Sequence, residues 1–516
     1  TPTRSSAASD VYKRQGYTAA FDRRTGVGPS FVLSGCWFVT LAELIQDPNW
    51  SDFDVFGISE DSRSVQPGEV FIAASNNPDQ RLKHVREAVS AGAAVVLVPE
   101  ALDLQVSIPL VPVAGLAAHR GEIAARYYEN PSHKMCCIGI TGTNGKTSIA
   151  WHIADLSKQL GVATGYCGTL GWGDLKELHP TQLTTPGAVD TQSYLAAMCD
   201  QGASRVAMEV SSHALDQGRV GAVQFDVAVF SNLSRDHLDY HQTTEAYKGA
   251  KAKLFQNWPL AAAVINSNDP VGRELLCTSR ANEVVSYGTH GDITWHSEAV
   301  RQGMRVSLAT PWGRGETLMP VAAEFAVANV AAAMAVLLTQ GHNLRDVTEA
   351  VATMAPVPGR MQVIDGGPKW PRVVVDYAHT PDAIEKALAA LRPQCRGELI
   401  CIVGCGGDRD RGKRAQMGRA AAKGSDRVWF TSDNPRSEDP ERILADMADG
   451  LELPNSQRVR SEANRAEAIA VALQSADPDD ILLIAGKGQE QTQDINGEFI
   501  PFSDFTVVHD IQSENN

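Results

Sequence analysis

The chain reads as an α/β protein in three successive blocks, and three observations predict that class. Short apolar runs alternate with helical stretches from residue 70 onward. A glycine-rich turn joins an apolar strand to a helix near residue 142. The last third then repeats strand, polar or glycine-rich loop, and helix, the pattern of a Rossmann-like sheet.

The elements follow in order. Residues 1–36 are rich in Ser, Thr, Arg, Gly and Ala without helical or strand period, and read as a disordered or non-native extension. Leu33-Ser34-Gly35-Cys36 has the shape of a lipoprotein cleavage box, with Arg23 and Arg24 upstream. Only Phe31, Val32 and Leu33 are contiguous and apolar, far short of the roughly 7–15 apolar residues a secretion signal needs, so the match reads as chance. The first block, 37–130, is a small α/β unit with strand-like Val70–Ala73 and Ala94–Val98 around a helical Leu82–Ala91. The central block, 131–357, opens on a strand at Cys136–Ile140. A helix from Lys146 to Leu160, closed by Gly161, and strands at Val206–Met208 and Val227–Phe230 follow. The third block, 358–516, has strands at Arg372–Asp376, Leu399–Val403 and Ile481–Ala485. No short-period repeat is visible, which argues against a solenoid.

Composition sets limits. The 516 residues carry 46 Lys plus Arg against 61 Asp plus Glu, a net charge of −15. A 43% apolar content excludes a wholly disordered chain. Without a global basic excess, coating of nucleic acid is excluded too, whereas a small anionic substrate senses only a local field. Between Gly404 and Arg419 that local field is +3. Nine scattered cysteines with no CxxC pair fit reduced thiols and a cytoplasmic protein. No run approaches 18 apolar residues, so no membrane span is expected. A monomer is expected.

The sharpest motif is Gly139-Ile140-Thr141-Gly142-Thr143-Asn144-Gly145-Lys146-Thr147. Between strand and helix, its glycines let backbone N–H groups approach phosphate oxygens. Lys146 suits the terminal phosphates and the Thr147 hydroxyl suits Mg²⁺. Ile140 stands where the strict pattern has glycine. The central block is therefore expected to be a P-loop ATPase sheet.

At Gly142–Thr147 the chain resembles the Mur ligases. Further resemblance lies in Ala207–His213, Asn232–His241, Asp376–Asp382, Gly404–Asp410, Asp433–Arg436 and Gly486–Gly488, in order over roughly 40–510. The resemblance implies an ATP-dependent C–N ligase of peptidoglycan synthesis. Such an enzyme adds meso-2,6-diaminopimelate to UDP-N-acetylmuramoyl-L-alanyl-D-glutamate through an acyl phosphate. The three blocks would bind the UDP substrate, ATP and the amino acid in turn.

The resemblance also implies site residues. Thr147, Glu209 and His237 would serve Mg²⁺; His237, Asp239 and His241 also read as an HxDxH box suited to a transition metal, or simply as a helix cap. Lys251 matches a carbamylated lysine, whereas Lys248 and Lys253 on the same helix carry no role. Lys146, Lys251, His237 and Glu209 form the implied catalytic set. ATP would meet Gly142, Thr143, Asn144, Gly145, Lys146, Thr147, Asn329, Arg360 and Asp376. The UDP-muramoyl peptide would meet Ser62, Asn144, Thr184, Thr185, Ser211, Gln217 and Arg219, although Thr184-Thr185-Pro186 also suits an ordinary turn. Diaminopimelate would meet Arg409, Asp433, Asn434, Pro435, Arg436, Gly486 and Glu490, with Arg436 clamping the distal carboxylate; a plain surface turn is the alternative for 433–440. The chain departs from the family pattern at Ala323 and Ala326, at Gln489, and at Asn76–Gln80. A folyl-polyglutamate-type sister ligase and a P-loop switch ATPase remain the alternative functions.

Overall fold

A computed structural model describes residues 39–102, 104–300, 303–321, 323–364, 366–451 and 458–514. The 1–36 extension and Leu33–Cys36 lie outside them. The described residues divide into two compact units, 39–56 and those from 57 onward. In the first, β1 (Val39–Thr40) pairs antiparallel with β2 (Asp54–Val55). A reciprocal cap between Thr40 and Glu43 starts the short helix Leu41–Ile45.

The larger unit begins with a parallel sheet of β3 (Ile58–Ser59), β4 (Val70–Ile72), β5 (Val95–Val98) and β6 (Leu110–Pro112). Helix α1 (Pro78–Ser90) starts four residues earlier than its apolar period suggests. The Asn77 side chain accepts from the N–H groups of Asp79 and Gln80, and Pro78 occupies the first helical position. Helix α2 (Leu116–Tyr127) follows.

The central sheet has the order β10-β9-β8-β11-β7-β12-β13-β14. Its parallel strands are β7 (Cys136–Thr141), β8 (Thr164–Gly168), β11 (Arg205–Glu209), β12 (Val227–Phe230), β13 (Ala262–Asn266) and β14 (Glu283–Tyr287). β9 (Gly171–Asp174) and β10 (Glu177–His179) add an antiparallel edge. The parallel strands are buried on both faces, which is why they read as unbroken apolar runs. Helices α3 (Lys146–Gln159) and α5 (Glu324–Thr339) close one face, while α4 (Thr244–Gln256) carries Lys251. Between α4 and α5, β15 (Thr294–Val300), β16 (Gly303–Thr310) and β17 (Gly313–Met319) form a separate antiparallel sheet.

The last sheet has the order β18-β19-β23-β20-β21-β22. It comprises β18 (Gln362–Ile364), β19 (Arg372–Asp376), β20 (Leu399–Cys405), β21 (Arg427–Ser432), β22 (Val459–Ser461) and β23 (Ile481–Ala485), all parallel except β18. α6 (Arg414–Gly424) and α7 (Arg465–Gln474) pack on it, β24 (Thr492–Ile495) and β25 (Glu498–Pro501) form a hairpin, and α8 (Asp504–Glu514) ends the chain. In both large sheets the polar motifs follow the carboxyl ends of adjacent strands: β8, β11, β7 and β12 in one, β19, β23, β20 and β21 in the other. Open α/β sheets hold ligands in such crevices. All eight described cysteines are unpaired thiols, and among the described residues no helix is long and apolar enough to cross a membrane.

Candidate active site

The phosphate loop leaves β7 at Thr141 and enters α3 at Lys146. Gly142 and Gly145 have φ of 150° and 88°. A Cβ at Gly142 would lie 1.9 Å from Ser231 Oγ, and one at Gly145 would lie 2.6 Å from Asn329 Oδ1. Glycine is therefore required at both positions. No side chain caps α3, whereas α1 is capped by Asn77. The first N–H groups of α3 thus lack a side-chain cap and suit an anion. Lys146 curls over the loop, Nζ donating to the carbonyls of Gly142 and Thr143 at 2.9 Å each. Burial lowers its pKa, opposed by Glu209 and Asp236. Asn144 is held from the next strand: its N–H donates to Asn232 Oδ1 at 3.0 Å, and its carbonyl accepts from Asn232 Nδ2 at 3.1 Å.

Glu209 ends β11 and is fully buried. Its carboxylate accepts from the Thr147 hydroxyl at 3.0 Å, Tyr166 Oη at 2.6 Å and the Thr169 N–H at 2.8 Å. Thr184 is tied to this group through Thr169 Oγ1 at 3.2 Å. Thr185 Oγ1 donates to the Glu209 carbonyl at 2.8 Å and accepts from the Ser211 N–H at 2.9 Å. Arg219 donates to the Thr185 carbonyl at 3.0 Å and to Gln217 Oε1 through Nε at 2.8 Å. Thr184-Thr185 thus lies on a bend that is hydrogen-bonded beside Glu209. Arg120 on α2 extends this network, donating to the Gln217 carbonyl at 2.9 Å and lying 3.3 Å from Glu60. Glu60 adjoins the Asp61-Ser62-Arg63 segment. Ser62 donates to Glu87 at 2.6 Å and lines a cleft of about 410 Å³ with Arg63, Arg86, Glu87 and Ser90.

The three lysines of α4 lie in different surroundings. Lys248 and Lys253 point outward to Glu274 and Asp216. Lys251 is buried, its Nζ donating to the Gly142 carbonyl at 2.7 Å and lying 4.5 Å from the Tyr247 ring centroid. Burial, then the Lys146 ammonium, pushes its amine well below the usual lysine range. Tyr247 in turn reaches Thr143 Oγ1 at 3.0 Å. His237 lies edge-on to His213 and Tyr247, with Nε2 3.4 Å from Asp236. Of the HxDxH box, His241 pairs with Ser212 at 2.9 Å, and the Asp239 side chain lies outside the described residues.

The third block reaches this centre through Arg360, whose Nη2 lies 3.3 Å from Thr147 Oγ1 while its guanidinium stacks 4.1 Å from the Tyr377 ring centroid. Asp376 anchors that turn, accepting from the N–H groups of Met361 at 2.7 Å and Ala378 at 2.9 Å. Burial raises its pKa, opposed by Arg360. Asn329, despite the changes at Ala323 and Ala326, is packed against Gly145.

A second cluster gathers behind β20, β21 and β23. Asn434 Oδ1 accepts from Lys487 Nζ and the Asp494 N–H, both at 3.0 Å, while its Nδ2 donates to Glu490 at 2.9 Å. Lys487 is fully buried and also donates to Glu490 at 2.7 Å. A Cβ on Gly486 would lie 2.6 Å from Asp433 Oδ2, and burial raises the Asp433 pKa against the pull of Arg465 and Lys487. The Pro435 carbonyl backs onto Gly407, where a Cβ would lie 1.9 Å away. Arg436 Nη1 donates to the Gly407 carbonyl at 2.7 Å. Arg409 is exposed and, like Arg436, lies beside Gly406. Asn434 and Arg436 are thus held by hydrogen bonds to their neighbours, while Ser437 and Asp439, further along 433–440, are exposed. The +3 of residues 404–419 is largely neutralised, because Arg411 and Arg414 pair with Glu438 and Arg414 also pairs with Asp446.

Several members escape sequence reasoning. Tyr166 and Thr169 fix Glu209 from another strand, Arg120 and Glu60 join distant segments, and Arg465 with Asp504 braces two strand ends. Lys487 stands inside a motif that was legible, and its motif position is the signal that finds it.

A Mur ligase middle domain matches residues 140–337, and a "Mur ligase, glutamate ligase domain" matches 359–488. The UDP-N-acetylmuramoyl-L-alanyl-D-glutamate–2,6-diaminopimelate ligase of Coxiella burnetii is 44% identical over 466 residues, covering 88% of this chain and 95% of its own. That of Ectopseudomonas mendocina is 45% identical over 462 residues, 87% of this chain and 93% of its own. A solved structure of a ligase of the same name superposes with a TM-score of 0.66 at 35% identity, covering 93% of this chain and 99% of its own. With two family domains in sequence order and relatives this similar along most of their length, the chain belongs to the Mur ligase family.

Proposed function

We propose that this chain is a cytoplasmic, ATP- and Mg²⁺-dependent ligase that adds meso-2,6-diaminopimelate to UDP-N-acetylmuramoyl-L-alanyl-D-glutamate. The observation carrying this reading is the 44–45% identity to ligases named for that reaction, spanning 93–95% of their length. In this reading the α3 N–H groups and Lys146 hold the triphosphate of ATP, and Arg360 approaches the same phosphates. Asn329 meets the adenine and Asp376 the ribose. Thr147 and Glu209 offer hard, buried oxygen donors that fit Mg²⁺, and His237 is the candidate for a second ion. Bound there, Mg²⁺ neutralises phosphate charge. Lys251, buried and lacking a carboxylate ion-pair partner among the described residues, suits conversion to a carbamate, which turns a cation into an oxygen donor.

The UDP-muramoyl peptide lies along Ser62, Asn144, Thr184, Thr185, Ser211, Gln217 and Arg219. Its carboxylate attacks the γ-phosphorus and ADP leaves, giving an acyl phosphate. The incoming amine attacks the acyl carbon, and the tetrahedral intermediate expels phosphate to leave the amide. Arg436, helped by Arg409 and Asn434, takes the distal carboxylate of diaminopimelate, while the acids Asp433 and Glu490 face its distal ammonium. The test is phosphate release by the purified protein, which must require both the UDP-dipeptide and diaminopimelate. Release with a folate acceptor instead would favour a folyl-polyglutamate-type ligase. Release without any acceptor would favour a switch ATPase.

A further inference from the structure

We propose that Asp494, on the β24–β25 hairpin, is a positioning residue that aims Arg436 at the distal carboxylate of the incoming amino acid. This inference rests on the diaminopimelate reading above. The hairpin is joined to segment 433–436 by four hydrogen bonds. The Arg436 N–H donates to the Asp494 carbonyl at 3.0 Å, and the Asn496 N–H donates to the Arg436 carbonyl at 2.8 Å. Gln493 Nε2 donates to the Asp433 carbonyl at 2.7 Å, and the Asp494 N–H donates to Asn434 Oδ1 at 3.0 Å. Arg436 itself has φ of 51°, a left-handed conformation that a bulky residue keeps only when its surroundings hold it. The two bonds flanking its peptide units supply that hold.

The Asp494 side chain adds a direction. Its Oδ2 lies 3.7 Å from Arg436 Nε, and its Oδ1 accepts from the Gly497 N–H at 3.1 Å, so the hairpin turn fixes the carboxylate. Arg436 Nη1 meanwhile donates one hydrogen to the Gly407 carbonyl. With Nε facing Asp494, the guanidinium presents its Nη1–Nη2 end to a ligand. That end makes a two-point contact with a carboxylate. The same residue, through its backbone N–H, shares the task of orienting the Asn434 amide with Lys487. One hairpin thus sets two neighbouring groups of the amino-acid pocket.

The experiment compares wild type, Asp494→Asn and Asp494→Ala, each also in an Arg436→Lys background, by steady-state phosphate release. Wild-type turnover that depends on diaminopimelate is established first; its absence would defeat the functional reading itself, before any variant is made. We expect Asp494→Ala to raise KM for diaminopimelate about tenfold with kcat within about twofold, and KM for ATP and the UDP-dipeptide unchanged. Asp494→Asn, which can still accept from Gly497, is expected to fall between. In the Arg436→Lys background either Asp494 change should add less than about twofold. A fall in kcat with all three KM values unchanged, or a full tenfold effect in the Arg436→Lys background, would overturn the proposal.

Discussion

Replacing Arg465 by Met tests how the amino-acid pocket is supported. Arg465 is fully buried, with Nε and Nη2 bonded to Asp504 at 2.7 and 2.8 Å. Its Nη1 donates to the Ser432 carbonyl at 3.3 Å and its Nη2 to the Ala485 carbonyl at 3.1 Å. Those carbonyls end β21 and β23, one residue before Asp433 and Gly486. Met leaves the Asp504 carboxylate, also fully buried, with no cation. Breaking a buried pair from one side costs about 3–5 kcal/mol, a large share of a domain stability of about 5–15 kcal/mol. Replacing both partners, Arg465→Met with Asp504→Leu, removes the stranded charge and should recover most of that loss. Hydrogen exchange of the β21 and β23 amides reads the local stability directly. The single variant should also raise KM for diaminopimelate, because both loops of the pocket start at the loosened strand ends. A single-variant loss below about 1 kcal/mol, or a double variant no more protected than the single, would refute the reasoning.

Four further outcomes follow from the geometry. Lys251→Met should lower kcat by about a hundredfold or more, as expected when a charge-stabilising group beside the phosphates is removed. Lys248→Met, which breaks only an exposed pair with Glu274, should stay within about fivefold in a steady-state assay. Arg360→Lys keeps the charge but loses the planar fork stacked on Tyr377, and kcat should fall about a hundredfold. Glu438 is held down to about 2 from 4.5, chiefly by hydrogen bonds from Arg414. A depressed carboxylate contributes stability above its unfolded pKa, and that contribution is lost as pH falls through the folded value. Acid titration of thermal stability should therefore show a loss between about pH 4.5 and 2 that is smaller in Glu438→Gln.

What the sequence made legible was contiguous. The phosphate loop, the parallel strands and the polar segments after them are local patterns, each readable because burial on both faces leaves an unbroken apolar run. The apolar period places the start of α1 four residues late, at Leu82, because it passes over the Asn77-Pro78 cap. The support of the site was not legible, because it is made by pairs far apart in the chain. Tyr166 and Thr169 meet Glu209 only because β8 and β11 are neighbours in the sheet. Arg465 meets Asp504 across 39 residues, and Asp494 meets Arg436 only because a hairpin folds back onto the loop. Local charge misled for the same reason: Arg414 lies in a basic run but is buried against Glu438 and Asp446. The three α4 lysines are told apart in the sequence by the resemblance alone, and in the structure by the helix face turned to the phosphate loop.

The central claim is that the chain joins diaminopimelate, rather than another amino acid, to the UDP-dipeptide. The most direct measurement is kcat/KM for phosphate release with ATP, Mg²⁺ and the UDP-dipeptide, taken with meso-diaminopimelate and with L-lysine side by side. L-lysine offers no distal carboxylate to Arg436, and the unmatched charge-assisted contact should cost at least about a hundredfold. Efficient turnover of diaminopimelate with at least that preference is predicted; equal or better turnover of L-lysine would contradict the account.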